Sequence, residues 1–403
     1  MRLGLVRAID RHVGVFACFV LTLVRRWLPG GKGAKSPAVR RVLFIELSEM
    51  GSAILSCPAI LYTFKKHPDA LVYYLIFEQN RPGVEASGLV PPHRIITIST
   101  ASAAEFVRTT LAALRRIREL GIDTVFDLEL FSRYSALLSG LSGATRRAGF
   151  HRYHEEGLYR GDLATHPVLY NCHMHMADNY LSLVKSVEHG GERPLTKEPM
   201  AENLNIPRWH GDEDFLEGVV RRVCQKCPAG KNAPWVVFSP SAGELLPIRA
   251  WPLDRYAELG RRLVEKGFLV VVLGADDARA HARRLVEELG REHVCDLTGE
   301  TSTDEFLAVL SLCDALICAD SGAAHFASLV RCPSVVLFGP ETPFLYAPLS
   351  DESVCLTAGL ACSPCLTATN HRKTSCTDPV CMKAIGVDEV HDALVSLLDD
   401  NRE

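Results

Sequence analysis

From Arg41 onward two patterns alternate along the chain. Short contiguous apolar runs, as in Arg41-Val-Leu-Phe-Ile-Glu-Leu47, are separated by longer stretches whose apolar positions recur every three or four residues. The first pattern predicts buried strands over 41–47, 71–77, 94–98 and 123–128, and the second predicts helices over 53–66, 103–120 and 131–141. Between 190 and 233 the regularity fades into Pro, Glu, Lys and Asn, with one helical stretch over 214–224, which reads as an inter-domain connection. The alternation restarts with strands over 235–239, 268–273, near Val294, 315–318 and 334–338, and with helices over 253–266, 277–289, 304–312 and 323–330. A last amphipathic helix over 387–398 is free in this reading to cross back onto the first domain. Strands alternating with helices mean mostly parallel sheets, so the expectation is α/β: two Rossmann-like, doubly wound domains facing a central cleft. The boundaries expected are 1–37 for an amino-terminal segment, 38–190, 191–233 for the connection, 234–386 and 387–403.

The amino-terminal segment has a different pattern. Residues 13–24 are mostly apolar and are flanked by Arg7 and Arg11 on one side and by Arg25 and Arg26 on the other. The run is shorter than the ~20 residues that span a bilayer as a helix, and no small-x-small cleavage site follows it. Two readings share the pattern: an interfacial helix with Trp27 at the boundary, or a helix packed on the protein's own surface. Residues 30–37 read as a linker.

Composition narrows the class. The 403 residues are 47% hydrophobic and 23% charged, enough to bury two or three globular cores. A net charge of −4 supplies no overall field for nucleic acid. Fourteen cysteines without an export signal point to thiols in a reducing cytoplasm, or at the cytoplasmic face of a membrane.

The candidate chemistry gathers at the strand ends of the second half. Asp320-Ser-Gly-Ala-Ala-His325 follows an apolar strand and opens a helix, where backbone N–H groups and the helix dipole bind phosphate. A capping Asp320 and a packed His325 would satisfy the same segment by itself. Ser239-Pro-Ser-Ala-Gly243 is a second small-residue loop, with Ser241 and Gly243 able to approach a phosphate, and Arg249-Ala-Trp-Pro252 places a cation before a helix start. Leu273-Gly-Ala-Asp-Asp277 supplies an acid suited to ribose hydroxyls, and Thr298 and Gly299 close the following strand. No GxGxxG or GxxxxGK[ST] follows a first strand in either half, which favours a nucleotide-sugar site over a dehydrogenase or a P-loop.

Taken together with Leu337-Phe-Gly-Pro340, and with Leu47-Ser-Glu-Met-Gly-Ser52, Phe126-Asp-Leu128 and Arg147-Ala-Gly-Phe150 in the first half, these segments resemble glycosyltransferase family 9, the bacterial heptosyltransferases of lipopolysaccharide core assembly. The resemblance implies a GT-B fold, an ADP-heptose-like donor on the second domain and a lipid-linked saccharide acceptor on the first. It puts Arg249 at the diphosphate, Asp276 at the ribose, and Asp320, Ser321, Gly322 and His325 at the sugar diphosphate. It also implies a single inverting displacement that requires no cofactor, because cationic side chains and helix dipoles already meet the diphosphate. Gly51 and Ser52 then belong to the acceptor loop.

At Ser52 the family usually has an aspartate, thought to be the general base. Glu49 in the same loop is the nearest replacement and Asp127 the second. Arg133, Arg146, Arg147 and Arg152 are candidates for an acidic acceptor. Cys362, Cys365, Cys376 and Cys381, with His371 and Cys355 nearby, have a spacing compatible with structural zinc, the alternative being reduced thiols. Cys172-His-Met-His175 reads as packing or an acceptor contact. The competing functions are a nucleotide-sugar epimerase of similar architecture and a non-catalytic binder of nucleotide sugar or saccharide.

Overall fold

The computed structural model describes residues 3–27, 38–130, 132–151, 159–188, 206–243, 246–367 and 372–400. The chain divides into two compact units, residues 1–206 and 207–403.

The first unit runs α1 (Leu3–Trp27), β1 (Arg41–Ile45), α2 (Met50–Leu55), α3 (Cys57–Lys66), β2 (Leu71–Phe77), α4 (Arg81–Glu85), β3 (Ile95–Ile98), α5 (Ala103–Glu119), β4 (Thr124–Asp127), α6 (Arg133–Leu141), β5 (Arg146–Phe150), β6 (His166–Val168) and α7 (Met176–Glu188). Its strands form one sheet in the order β3-β2-β1-β4-β5-β6, every described pair parallel. The central strands are buried on both faces, which is why they read as unbroken apolar runs. Leu43, Ile45, Leu75 and Val125 meet Ile117 and Leu138 in one core cluster, while Phe44 stacks with Tyr74 and tilts onto Phe126. Each such side chain contributes roughly 1.5–3 kcal/mol.

The single helix predicted over 53–66 is two helices. Ser56 ends α2 and begins α3, and Pro58 sits in the first turn of α3. Proline has no N–H for a continuous helix, and its ring would meet the carbonyl four residues back, so the axis breaks there.

Of the two readings of the amino-terminal segment, a helix packed on the protein's own surface describes one face of α1. One face is docked on α6: Cys18 is fully buried, and a side chain on Gly14 would meet Arg133 at 2.9 Å. The Asp10 carboxylate accepts from the backbone N–H groups of Arg133 (3.0 Å) and Tyr134 (2.8 Å), capping the amino terminus of α6. Arg25 donates to the Gly140 carbonyl at 2.8 Å, and the Thr22 hydroxyl accepts from the Asp162 N–H at 3.0 Å. The opposite face stays exposed. No described helix is long and apolar enough to cross a membrane.

The second unit runs α8 (Glu213–Lys226), β7 (Trp235–Ser239), α9 (Leu253–Glu265), β8 (Leu269–Val272), α10 (Arg279–Leu289), β9 (Val294–Asp296), α11 (Thr303–Leu312), β10 (Ala315–Ala319), α12 (Gly322–Val330), β11 (Ser334–Phe338), α13 (Pro343–Tyr346), β12 (Ser353–Thr357), α14 (Val380–Ala384) and α15 (Val387–Asp400). Its sheet has the order β12-β11-β10-β7-β8-β9, again parallel throughout the described pairs. The chain winds outward from β7 through β8 to β9, then returns to β10 on the other side. The β7/β10 boundary is therefore a topological switch point, where open α/β sheets bind ligands.

Two expected boundaries change. Residues 207–233 are not a free connection: Asp212 caps α8 by accepting from Phe215 N–H at 2.8 Å, Val223 is fully buried, and Arg222 pairs with Glu305 at 2.6 Å. Residues 189–205 lie outside the described residues. The carboxy-terminal helix is not free either, because Val390 and Leu394 of α15 are fully buried in one cluster with Leu337, Met382 and Ile385 of the same unit. Its apolar face is already used.

Candidate active site

At the switch point of the second unit, β7 ends in the loop carrying Ser241 and Gly243, and β10 ends at Asp320. Gly243 has φ +80°, a left-handed backbone that favours glycine. Arg249 is held between the two strand ends by its neighbours. Trp251 is buried and donates its indole N–H to the Ile385 carbonyl at 3.1 Å, and Pro252 caps α9. The guanidinium reaches Asp320 Oδ2 at 3.1 Å through Nη1 and the Ala242 carbonyl at 3.0 Å through Nη2, while its buried Nε has no hydrogen-bond partner. Asp320 is buried, with its N–H bonded to the Leu337 carbonyl at 3.0 Å. Ser321 takes the N-cap position of α12 in extended conformation without a side-chain cap, and His325 lies buried in the first turns of that helix. A side chain built on Gly322 would meet nothing within 4 Å, so internal packing does not explain this glycine. A cation, an uncapped helix start and an open backbone approach thus converge, as a diphosphate requires.

The flanking positions divide. Asp276 is exposed and paired with Arg279 at 2.7 Å, and a side chain on Gly299 (φ +65°) would collide with both. The acid that touches the phosphate-type loop is Asp277, which accepts from the Ser241 hydroxyl. The Thr298 hydroxyl is buried and donates to Asp296 at 2.7 Å, so its side chain shapes the turn and does not face the rim. Glu341, just after Leu337-Phe-Gly-Pro340, is a residue that the sequence reading passed over. It is buried and accepts from Arg372 Nε at 2.8 Å. Burial pushes its carboxyl up to about 7 against the pull of Arg372, with the Asp320 charge raising it further. Because the folded state holds this proton more tightly, its contribution to stability is full below the ordinary carboxyl range and is lost as pH rises through about 7. Replacing Glu341 by glutamine is expected to remove about 3 kcal/mol of pH-dependent stability, flattening the fall of Tm between about pH 5 and pH 8 in calorimetric scans.

In the first unit, the loop from β1 into α2 carries Glu49 at the N-cap of α2 and Ser52 in its first turn. The Ser52 hydroxyl donates to Glu49 Oε2 at 3.3 Å, so the residue in the family's base position is bonded to the proposed substitute. Gly51 is buried in the same turn. Two buried carboxyls that sequence reasoning missed hold the loop. Glu129 accepts from Leu47 N–H at 3.0 Å and from the Ser48 hydroxyl at 2.9 Å, and Glu46 accepts from Ser48 N–H at 3.2 Å. Burial, and then the neighbouring carboxylates, push Glu46 well above the usual range; burial lifts Glu129 to about 7. Asn80 donates to the Leu47 carbonyl at 2.9 Å from the opposite side. The available signal was an acid terminating an apolar strand run, Ile45-Glu46 and Leu128-Glu129.

Several expectations are corrected. Asp127 is buried and committed to Arg160, to the Ser135 hydroxyl at 3.1 Å and to Glu129 N–H at 3.3 Å, so it anchors β4 and is not open to a substrate hydroxyl. Arg133, Arg146 and Arg147 are likewise internal. Arg133 donates to the Tyr159 carbonyl at 2.8 Å and lies 3.7 Å from Asp10, Arg146 lies 3.5 Å from Asp123, and Arg147 donates to the Leu163 carbonyl at 2.8 Å. Arginines buried on a helix face, as Arg133 is, or on a strand covered on both faces, as Arg146 and Arg147 are, must spend their donors on backbone oxygens and carboxylates. Arg152 lies outside the described residues.

Cys362 and Cys376 are exposed, Cys365 half-buried and Cys381 buried; among the described residues no three His, Cys, Asp or Glu side chains are grouped as a metal centre requires. His371 lies outside the described residues. In the Cys172–His175 segment, Asn179 donates to the Asn171 and Met174 carbonyls at 3.0 and 2.8 Å, and His175 Nδ1 accepts from Ala177 N–H at 3.2 Å. The segment shapes the start of α7.

The description of glycosyltransferase family 9 (heptosyltransferase) matches residues 110–375. Lipopolysaccharide heptosyltransferase 2 of Escherichia coli K12 is 31% identical over 156 residues, 38% of this chain and 44% of that protein; this alignment thus spans under half of that relative's length. Lipopolysaccharide heptosyltransferase 1 of Pseudomonas aeruginosa is 25% identical over 339 residues, 82% of this chain and 87% of that protein. Among solved structures, E. coli ADP-heptose lps heptosyltransferase II superposes with a TM-score of 0.69 at 21% identity, over 90% of this chain and 100% of that one. A family 9 glycosyltransferase from Veillonella parvula gives 0.68 at 18% identity, over 92% and 100%. These solved structures share the GT-B type of fold seen here, two α/β units each built on a parallel sheet. With about two thirds of its length, residues 110–375, matched by the family, this chain belongs to glycosyltransferase family 9.

Proposed function

We propose that this protein is an inverting heptosyltransferase. In this reading it moves the sugar of an ADP-heptose-like donor to a hydroxyl of a lipid-linked saccharide of the lipopolysaccharide-core type, at the cytoplasmic face of the membrane that carries the acceptor. The carrying observation is the Arg249–Asp320 pair beside the uncapped start of α12 at the switch point of the second sheet. The bond from the anomeric carbon to the diphosphate oxygen breaks as the acceptor oxygen attacks from the opposite face. Negative charge then gathers on the departing diphosphate, where Arg249 and the first amides of α12 stabilise it. Glu49 receives the acceptor's proton, with the Ser52 hydroxyl steadying its carboxylate. The names of the relatives, and an E. coli heptosyltransferase solved with ADP, support this choice of donor and acceptor.

Calorimetry with ADP-, UDP- and GDP-linked sugars is expected to give heat for the ADP-linked donor first. Mass spectrometry of lipid saccharides from cells lacking the protein is expected to show one missing heptose. Ser52 in place of the family's aspartate favours a second reading, a binder without transfer activity. Donor heat combined with unchanged lipid saccharides would establish that reading, and absence of heat with every nucleotide sugar would remove both.

A further inference from the structure

One surface of the first unit has no role in sugar transfer as described above. Successive residues of an α-helix are turned by about 100°, so Ile9, Val13, Phe16, Val20, Leu23, Val24 and Trp27 form one stripe along α1, opposite Gly14, Cys18 and Thr22. All seven are exposed: Phe16 keeps 68% of its accessible surface and Trp27 keeps 87%. The docked face holds the helix in place through the Asp10 cap on α6 and the Arg25 bond to Gly140, so the stripe is presented at a fixed orientation on the first unit. Asp10 is the only acid in α1 and is turned inward onto α6, whereas Arg11 is exposed and Arg26, also exposed, pairs with Asp162 at 2.6 Å.

We propose that this stripe is a docking surface for an anionic lipid bilayer, in which α1 lies in the interface plane with its apolar side chains among the acyl chains and Trp27 at the headgroup level. Charge selects this occupant: α1 carries Arg7, Arg11, Arg25 and Arg26 against Asp10 as its single acid, which is withdrawn onto α6, so the helix as a whole is cationic and complements a surface of anionic headgroups. Size argues against a second copy of the chain. From Ile9 to Trp27 the stripe is about 27 Å long, and at a helix width of about 10 Å it offers roughly 300 Å² per copy, well below the ~800 Å² per partner of a stable interface.

The test is flotation of the full-length protein with vesicles of phosphatidylethanolamine and phosphatidylglycerol, compared with phosphatidylcholine alone. Wild-type protein is expected to float with the anionic vesicles and to be released by salt. The triple variant Phe16→Ser, Val20→Ser, Trp27→Ser is expected to partition at least about tenfold less, with an unchanged Tm because these side chains touch solvent. Arg11→Glu, which leaves the apolar stripe whole, is expected to weaken binding to the anionic vesicles alone. Wild-type protein that stays with the soluble fraction, variants that float like wild type, or a dimer in light scattering that the triple variant dissolves would each overturn the proposal. Vesicle binding is read without sugar transfer, so its failure leaves the transferase reading standing.

Discussion

Glu49→Gln is expected to lower kcat for sugar transfer by about 10²–10⁴-fold, while the heat of donor binding stays at the wild-type value. Glutamine has the same shape and keeps an oxygen to accept the Ser52 hydroxyl, which donates to Glu49 at 3.3 Å, so the β1–α2 loop retains its bonds. What is lost is the ability to take up a proton. Glu129 and Glu46 still hold Leu47 and Ser48, which separates this substitution from a collapse of the loop. Adding Ser52→Asp to the Glu49→Gln protein puts a carboxylate back at the family's position and is expected to restore part of the rate. Steady-state kinetics alongside calorimetry checks both. A Glu49→Gln enzyme with wild-type kcat would move the base elsewhere, and Asp127, held by Arg160 and Ser135, is not available to be that base.

The second large effect is expected at Arg249. Arg249→Met should cost about 10²–10³-fold in kcat/KM, the usual loss when a cation or donor aimed at developing negative charge is removed. It should also destabilise the second unit by about 3–5 kcal/mol, because Asp320 is buried and loses its ion-pair partner 3.1 Å away. The double variant Arg249→Met, Asp320→Asn separates the two contributions: the neutral amide no longer needs a cation, so Tm is expected to recover while kcat/KM does not. Recovery of both would make the pair structural and would move the diphosphate away from Arg249.

How far a residue's role was legible in the sequence depended on whether that role is local. A strand that hands over to a small-residue turn shows in the residues themselves, so the placement of Asp320 to His325 at the β10–α12 junction and of the Ser241 loop after β7 was legible by type and order. Strands 71–77 and 334–338 were read to the residue, because a strand buried on both faces has to be apolar throughout. Arg133 and Arg147 were misread for the opposite reason. An arginine in a sequence carries the same charge whether it faces water or a carbonyl, and only the packing of α6 and β5 shows that their donors are already used. The same holds for Asp127, whose partner Arg160 is thirty-three residues away.

By itself, then, the sequence determined the alternation of strands and helices, the two parallel sheets and the family, all of which follow from periodicity and from short segments whose chemistry is fixed by their own backbone. Tertiary structure alone decided that Glu129 and Glu46 hold the loop of Glu49, that Asp277 and not Asp276 meets Ser241, that Glu341 stands behind Asp320, and that α1 turns one face inward and the other outward. Apart from the Glu46–Ser48 bond, these are relations between residues far apart in the chain, and all are set by which surfaces are buried against each other, a property of the folded whole that no short window of sequence contains.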